Sequence, residues 1–439
     1  MIDSDYRDIA LDSIDDFLTI HPEIQDPFEL EDLQSFIDLL KKMFTVNPSE
    51  RITPEEALNH RFITMSHLPP TSNNSYVISA YEKMKVYIME KEEPRVYIVQ
   101  KFLGRGAFGQ VVKGLKQGTD EVVALKFIHK DDSESATGEA TILKHLRELQ
   151  ADQKNLIKLI DHFEYNDSFC FVFEMLDMDL FDLLEMRHDK PLDVSEVRVV
   201  AHDLLVALNA LKNAGVTHTD IKPDNIMLVN HQSQPFRVKL IDFGLAMETH
   251  DLRNDDVIQV CGFRAPEVNL GLPLTEAVDM WAVACTLAFI FLGDYIYNPI
   301  CEFNNMRQIF KLHGLPDQDL LGKGTKVNRF FIFDQSNQTW RFKTPQEYTE
   351  TIMIDSDYRD IALDSIDDFL TIHPEIQDPF ELEDLQSFID LLKMMFTVNP
   401  SERITPEEAL NHRFITMSHL PPTSDNSYFG WLPATCWWL

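Results

Sequence analysis

Three stretches of the chain, 97–102, 110–115 and 121–128, alternate apolar and polar side chains and are rich in Val, Phe and Leu, with Gly118, Thr119 and Asp120 between the last two. Alternation puts one face of a strand in a core and the polar tripeptide is a turn, so the pattern predicts an antiparallel three-stranded meander. Over 136–149 the apolar spacing lengthens to that of a helix. Two more strands, 157–163 and 169–173, flank Asn166 and Asp167, and helical spacing returns over 194–214, 275–292 and 381–396. In the last of these Leu382, Leu385, Phe388, Ile389, Leu392 and Met395 share one face and read as core. A small β-rich unit followed by a larger helical one predicts an α+β fold.

One long segment occurs twice. Residues 1–76 recur at 353–428 with two differences, Lys42 against Met394 and Asn73 against Asp425. Near-identity in two copies is unlike a solenoid array, whose units drift and usually number three or more. It points to a recent duplication or a fused partial copy. The duplication also explains the charge. The formal net charge is −33, and the two copies, with 15 acidic and 5 basic side chains in the first and 16 and 4 in the second, supply −22 of it.

So acidic a chain argues against passive binding to nucleic acid or anionic membrane, which needs clustered Lys and Arg. Five cysteines without C-x-x-C spacing indicate neither a disulfide framework nor a zinc site, and fit a reducing compartment. The longest apolar run, 282–292, is too short to span a bilayer, and no signal sequence opens the chain. An intracellular soluble protein is expected, without nucleic-acid or membrane partners and with its oligomeric state open. Length and 44% hydrophobic content suit two or three domains.

The candidate chemistry begins at Gly104-x-Gly106-x-x-Gly109. A dinucleotide-binding glycine run would open a helix, whereas here Gln110, Val111 and Val112 begin a strand. The motif therefore reads as a hairpin loop whose bare amides can close over phosphates. Val123-Ala124-Leu125-Lys126 ends the third strand with an ammonium in a half-buried place, and Glu139 on the next helix can partner it. Further on stand "HTDIKPDN" at 218–225, "IDFG" at 241–244, "APE" at 265–267 and "DMW" at 279–281.

With these motifs in this order the sequence resembles the eukaryotic protein kinases over about 97–420. "DIKPDNIMLV" at 220–229, "RAPEVNLGLPLTEAVDMW" at 264–281 and "RITPEEALNHRFITMSHL" at 403–420 resemble the homeodomain-interacting protein kinases in particular. The resemblance implies a bilobal fold, with N-lobe 97–174 and C-lobe 177–420, a linker at 77–96 and a tail at 421–439. It implies ATP and Mg²⁺ as cofactors and protein Ser and Thr hydroxyls as acceptors, since Lys222 follows Asp220 by two as in Ser/Thr kinases.

By the same resemblance Asp220 is the catalytic base, Lys222 touches the γ-phosphate, and Lys126, directed by Glu139, holds the α and β phosphates. Asn225 and Asp242 are the metal ligands. The nucleotide lies against the hairpin, Leu103, Gly104, Arg105, Gly106, Ala107, Phe108, Gly109, Gln110 and Val111. Ala124 and Met227 add apolar walls, Glu174 to Leu176 form the hinge, and Phe173 restricts the space behind it. Arg403 is expected to pair with Glu267, and Thr405 to cap the helix that Pro406 opens.

Two features depart from the family pattern. Thr219 stands where most kinases have Arg, so no guanidinium is there for an activation-loop phosphate. Between Asp242 and Glu267 the only side-chain hydroxyl is Thr249, and Val257 stands where relatives carry a phosphorylated Tyr. The expected activity is that of a constitutive Ser/Thr kinase whose loop is held by Asp255 and Asp256 or by packing. The alternative is a pseudokinase or ATP-binding scaffold with weak or no phosphotransfer. The resemblance implies the nucleus, or else the cytoplasm, although no Lys/Arg cluster marks import. The first copy repeats the terminal helices and Arg51 but none of the catalytic motifs. It is expected to be a poorly packed relic, or a competitor in which residues 30–62 displace 382–414 within a chain or between chains.

Overall fold

The computed structural model describes residues 13–16, 18, 24–68, 74–77, 85–89, 94–106, 109–130, 133–148, 154–165, 168–188, 190–348, 363–374 and 376–421. Two compact units result, Met1–Asp132 with Ile160–Met175, and Ser133–Leu159 with Leu176–Leu439. The tail after Leu420 lies almost wholly outside the described residues.

The first unit contains the helix Pro27–Met43 (α1), short helices at Pro54–Leu58 and Arg61–Thr64, and a six-stranded sheet. Its strands are Lys85–Met89 (β1), Pro94–Gly106 (β2), Gly109–Lys116 (β3), Val122–His129 (β4), Leu159–Tyr165 (β5) and Ser168–Glu174 (β6), in the order β1-β2-β3-β4-β6-β5. The meander forms as its alternation requires. Tyr97, Val123, Leu125, Phe163, Cys170 and Val172 cluster as its core. Strands β3 and β4 approach so closely at Gly109 that a Cβ there would lie 2.0 Å from the Phe127 carbonyl oxygen, so only glycine fits. Strand β1 corrects the linker expectation. "KVYIM" sits among Lys and Glu, yet it pairs antiparallel with β2 from Lys85↔Ile98 to Met89↔Pro94. A five-residue strand at a sheet edge is stabilised by its partner, and its own pattern is too short to announce it.

The second unit is mainly helical. Helix Ser133–Arg147 (α2) opens it, and Val194–Ala214 (α3) runs through its interior with Asp193 and Glu196 forming a capping box and Gly215, at φ 67°, ending it. Short ladders pair Val216–Thr217 (β7) with Met247–Glu248 (β10) and Ile226–Asn230 (β8) with Gln234–Leu240 (β9). The apolar run at 282–292 belongs to Ala277–Leu292 (α4), which is buried on all sides in this core. No helix among the described residues is long and apolar enough to cross a membrane. The strand expected at 157–163 starts two residues late, because Asn155, Leu156 and Ile157 are hooked instead to Leu240.

The second copy completes this unit. Helix Pro379–Met395 (α5) packs on α3 and α4, and Phe396 meets Trp281, Tyr297 and His313 at ring-centroid distances of 5.1, 5.6 and 4.9 Å. Arg403 donates to both Glu267 oxygens at 2.6 and 2.9 Å and to the Ala277 and Thr397 carbonyls, with its guanidinium over Trp281. The expected pair is present, and it is fully buried. Thr405 caps the next helix with Glu408 in a capping box.

His313 makes this region acid-sensitive. Burial, then the charge of Arg403, holds its imidazole neutral down to about 3. The unfolded chain takes up that proton near the ordinary ~6.5. Below ~6.5 the unfolded state binds more protons, so stability is lost as pH falls, by about 1.4 kcal/mol per unit at most. Urea titrations between pH 7 and 4 are expected to show this slope, and His313→Gln to flatten it.

Candidate active site

A cluster of buried polar groups lies on the loops that follow β7 and β9. His218 and Thr219 donate their backbone amides to the two oxygens of Asp279 at 2.7 and 3.0 Å, which fixes the loop to the start of α4. Burial pushes the Asp279 carboxyl up, while His218 and the two amides pull the other way. The ring of His218 accepts from the Asp220 amide at Nδ1 and donates from Nε2 to Ile241, so one tautomer ties the loop of Asp220 to that of Asp242. Its edge meets the ring of Phe243, itself buried.

Asp220 is nearly buried. Asn225, at the end of the turn Pro223–Asn225, donates its Nδ2 to the Asp220 carbonyl at 2.8 Å and to Oδ2 at 2.9 Å, and the Lys222 ammonium lies 3.1 Å from the same Oδ2. The Asn225 carbonyl accepts from the Ile241 amide at 2.9 Å, just before Asp242. Asp242 has φ 61° and Thr219 φ 67°, left-handed conformations that non-glycine residues adopt only where their surroundings enforce them. The second unit thus brings Asp220, Lys222, Asn225 and Asp242 onto two loops joined by direct bonds. Met227 lies on β8, bridged to Asp179, and Leu176 is buried. Glu139 is 1% exposed on α2, a depth at which a carboxylate needs a compensating cation or hydrogen bonds.

In the first unit, Lys126 on β4 stands in register with Val111 on one side and Phe171 on the other, and Ala124 with Phe173. Leu103, Gly104, Arg105 and Gly106 are on β2, with Arg105 paired to Gln110 and Gly106 to Gly109. A Cβ on Gly104 would meet nothing within 4 Å, so packing does not demand that glycine. Glu174 ends β6. Ala107 and Phe108 lie outside the described residues.

Sequence reasoning missed what Thr219 does. Its hydroxyl donates to the Leu245 carbonyl at 2.7 Å and its carbonyl accepts from the Gln259 amide at 3.1 Å, so one residue ties the loop of Asp220 to both ends of the segment after Asp242. Thr249, the segment's single hydroxyl, is bonded to Thr217 at 2.9 Å. Arg264 donates to the Gln259 carbonyl at 2.8 Å and to Glu302 at 2.5 Å, and Arg329 shares that carboxylate at 2.8 Å. Asp256 caps only the local Arg253 amide, and Asp255 contributes its carbonyl to Lys326. The segment is held by Thr219, Gln259 and Arg264, with Val257 left 75% exposed.

Residues 97–415 match the family described as protein kinase domain. The chain belongs to the protein kinase family. This kinase-family chain is 41% identical over 334 residues to homeodomain-interacting protein kinase 2 of Mesocricetus auratus, covering 74% of its own length and 29% of that protein. To homeodomain-interacting protein kinase 1 of Caenorhabditis elegans it is 37% identical over 358 residues, 77% of this chain and 42% of that one. To homeodomain-interacting protein kinase 4 of Homo sapiens it is 33% identical over 357 residues, 77% and 58%. It spans less than two thirds of each of these relatives. Family membership implies use of ATP and Mg²⁺ in general terms.

Proposed function

We propose that the chain transfers the γ-phosphate of ATP to Ser and Thr hydroxyls of proteins, and that it does so without phosphorylation of the segment after Asp242. The observation that carries the first part is the bonded arrangement of Asp220, Lys222 and Asn225 beside Asp242. Phosphoryl transfer needs positioning and charge stabilisation more than covalent chemistry from the protein. With Asn225 and Lys222 both on Oδ2, the other oxygen of Asp220 accepts and orients the proton of the attacking hydroxyl. Lys222 steadies the γ-phosphate, and the ammonium of Lys126 the α and β phosphates.

The donor set fits Mg²⁺. Asn225 commits its NH₂ to Asp220, which leaves its oxygen as the ligand atom, and Asp242 supplies a carboxylate; both are the hard oxygens this cation takes. When bound, the ion would neutralise phosphate charge. For adenine, the first unit offers the apolar Leu103, Val111 and Ala124 and the backbone of Glu174, and the second offers the apolar Met227 and the backbone of Leu176. The hairpin residues Gly104, Arg105, Gly106, Gly109 and Gln110 offer backbone amides to the phosphates.

The second part rests on Glu302, whose carboxylate already serves Arg264 and Arg329. A built-in anion at these guanidiniums takes the place of a phosphate. Phosphatase treatment of the purified protein is therefore expected to leave its rate unchanged. Glu302→Ala, which strips both arginines of their acid, is expected to lower kcat/KM about tenfold, the effect of losing a charged hydrogen bond. Nucleotide binding with no transfer to any protein substrate in the presence of Mg²⁺ would favour the pseudokinase reading instead.

A further inference from the structure

The described residues of the two copies form matching helices but end differently. In both, an aspartate caps the long helix, and in both a histidine further on bonds its first turns, His67 to Asp32 at 2.8 Å and His419 to Asp384 at 2.9 Å. In the second copy the face Leu385, Phe388, Leu392, Met395 and Phe396 is buried throughout, no residue more than 1% exposed. In the first copy the matching Leu33, Phe36 and Leu40 are half-buried and the C-terminal end of the face is open, with Met43 at 47% and Phe44 at 66% exposure. Arg51, the counterpart of Arg403, donates to the Thr45 carbonyl and has no carboxylate partner among the described residues. Where Asp384 takes the buried Arg198, Asp32 takes the Tyr76 hydroxyl at 2.6 Å. The described part of the first copy is a folded duplicate, closed by Tyr76 at one end and open at Met43 and Phe44, which its twin buries.

We propose that this face docks on a second copy of the chain, in the seat formed by Glu267, Trp281, Tyr297 and His313, in place of that chain's own terminal segment. The seat's fit is on view: a segment of the same sequence occupies it. The one differing position within the described residues lies off the face, since Lys42 pairs with Asp38 at the surface and Met394 is 44% exposed. Docking repeats the same contacts, with Phe44 against Trp281, Arg51 on Glu267 and Asp32 passing from Tyr76 to Arg198. Because the contacts are the same, their sum does not choose between occupants. The tether does: the resident segment belongs to the same chain as its seat and is held there at a high effective concentration. Exchange then sets in when the resident segment is weakened or the chain is concentrated, and gives swapped oligomers.

The test weakens the resident segment in the full chain. Arg403→Glu is expected to retain a cooperative thermal transition and to show at least twice the chain mass by light scattering, and adding Arg51→Glu to abolish both. If Arg403→Glu and the double variant melt alike and stay monomeric, the proposal fails. Rescue by Arg51 in a strictly monomeric chain also overturns it, because the exchange is then within one molecule. Should both variants fail to fold, the wild-type sequence decides. Isotopically heavy and light chains carrying p-benzoylphenylalanine in place of Phe44 are mixed, warmed, cooled and irradiated. Heavy-to-light cross-links into the peptide 277–297 support the proposal; only same-chain links, or none, overturn it.

Discussion

Asp220→Asn is expected to lower phosphate transfer by ~10²–10⁴-fold while leaving the melting temperature within a few degrees of wild type. The change keeps the size of the side chain and its ability to accept from Asn225 and Lys222, whose bonds both go to Oδ2 at 2.9 and 3.1 Å. What it removes is the negative carboxylate oxygen that takes up the hydroxyl proton. The measurement is transfer of labelled γ-phosphate from ATP, with Mg²⁺, to a panel of Ser- and Thr-containing proteins, alongside nucleotide affinity. Lost transfer with retained nucleotide binding is the expected pair of results. An unchanged rate would remove Asp220 from the mechanism. Wild-type protein that binds nucleotide and transfers nothing would remove the kinase reading itself.

Glu267→Ala is expected to destabilise the helical unit by about 3–5 kcal/mol. The carboxylate and Arg403 are both fully buried and bonded through two contacts. Such a pair adds little over a well-packed apolar substitute, but deleting one member leaves the other charge in a low-dielectric core, and here that charge lies against Trp281. Urea unfolding of the helical unit measures the loss. Since both copies would need Glu267, this variant has no spare partner, unlike one altered at Arg403. Cost at Glu267 together with tolerance at Arg403 would separate a defect in the seat from one in its occupant.

Much of the candidate site was legible because it is written in short, local motifs. "HTDIKPDN" places Asp220, Lys222 and Asn225 within six residues, and the turn Pro223–Asn225 brings them together with little help from elsewhere. The strand after Gly109 was legible for the same reason, since period-two burial needs only neighbours. Thr219 was read as a loss, because its identity says that no guanidinium is present and nothing about the Leu245 and Gln259 groups it binds. The shared carboxylate of Glu302 sits 38 residues from Arg264 in sequence, and Arg198 and Asp384 are 186 apart. No periodicity or spacing joins residues that far apart. Strand β1 was missed because its stability comes from β2.

The repeat separates the two kinds of information within one molecule. The shared sequence by itself determined the helices Pro27–Met43 and Pro379–Met395, each opened by an aspartate that accepts from the same two amides at 2.9 and 3.2 Å. Propensity, capping and the apolar stripe are properties of contiguous residues, so they came out alike in both places. Tertiary structure alone decided that Phe396 is 1% exposed and Phe44 66%. Burial depends on whether a complementary surface is there to receive the stripe, and the surface of Glu267, Trp281, Tyr297 and His313 is encoded outside the repeat and holds one segment at a time.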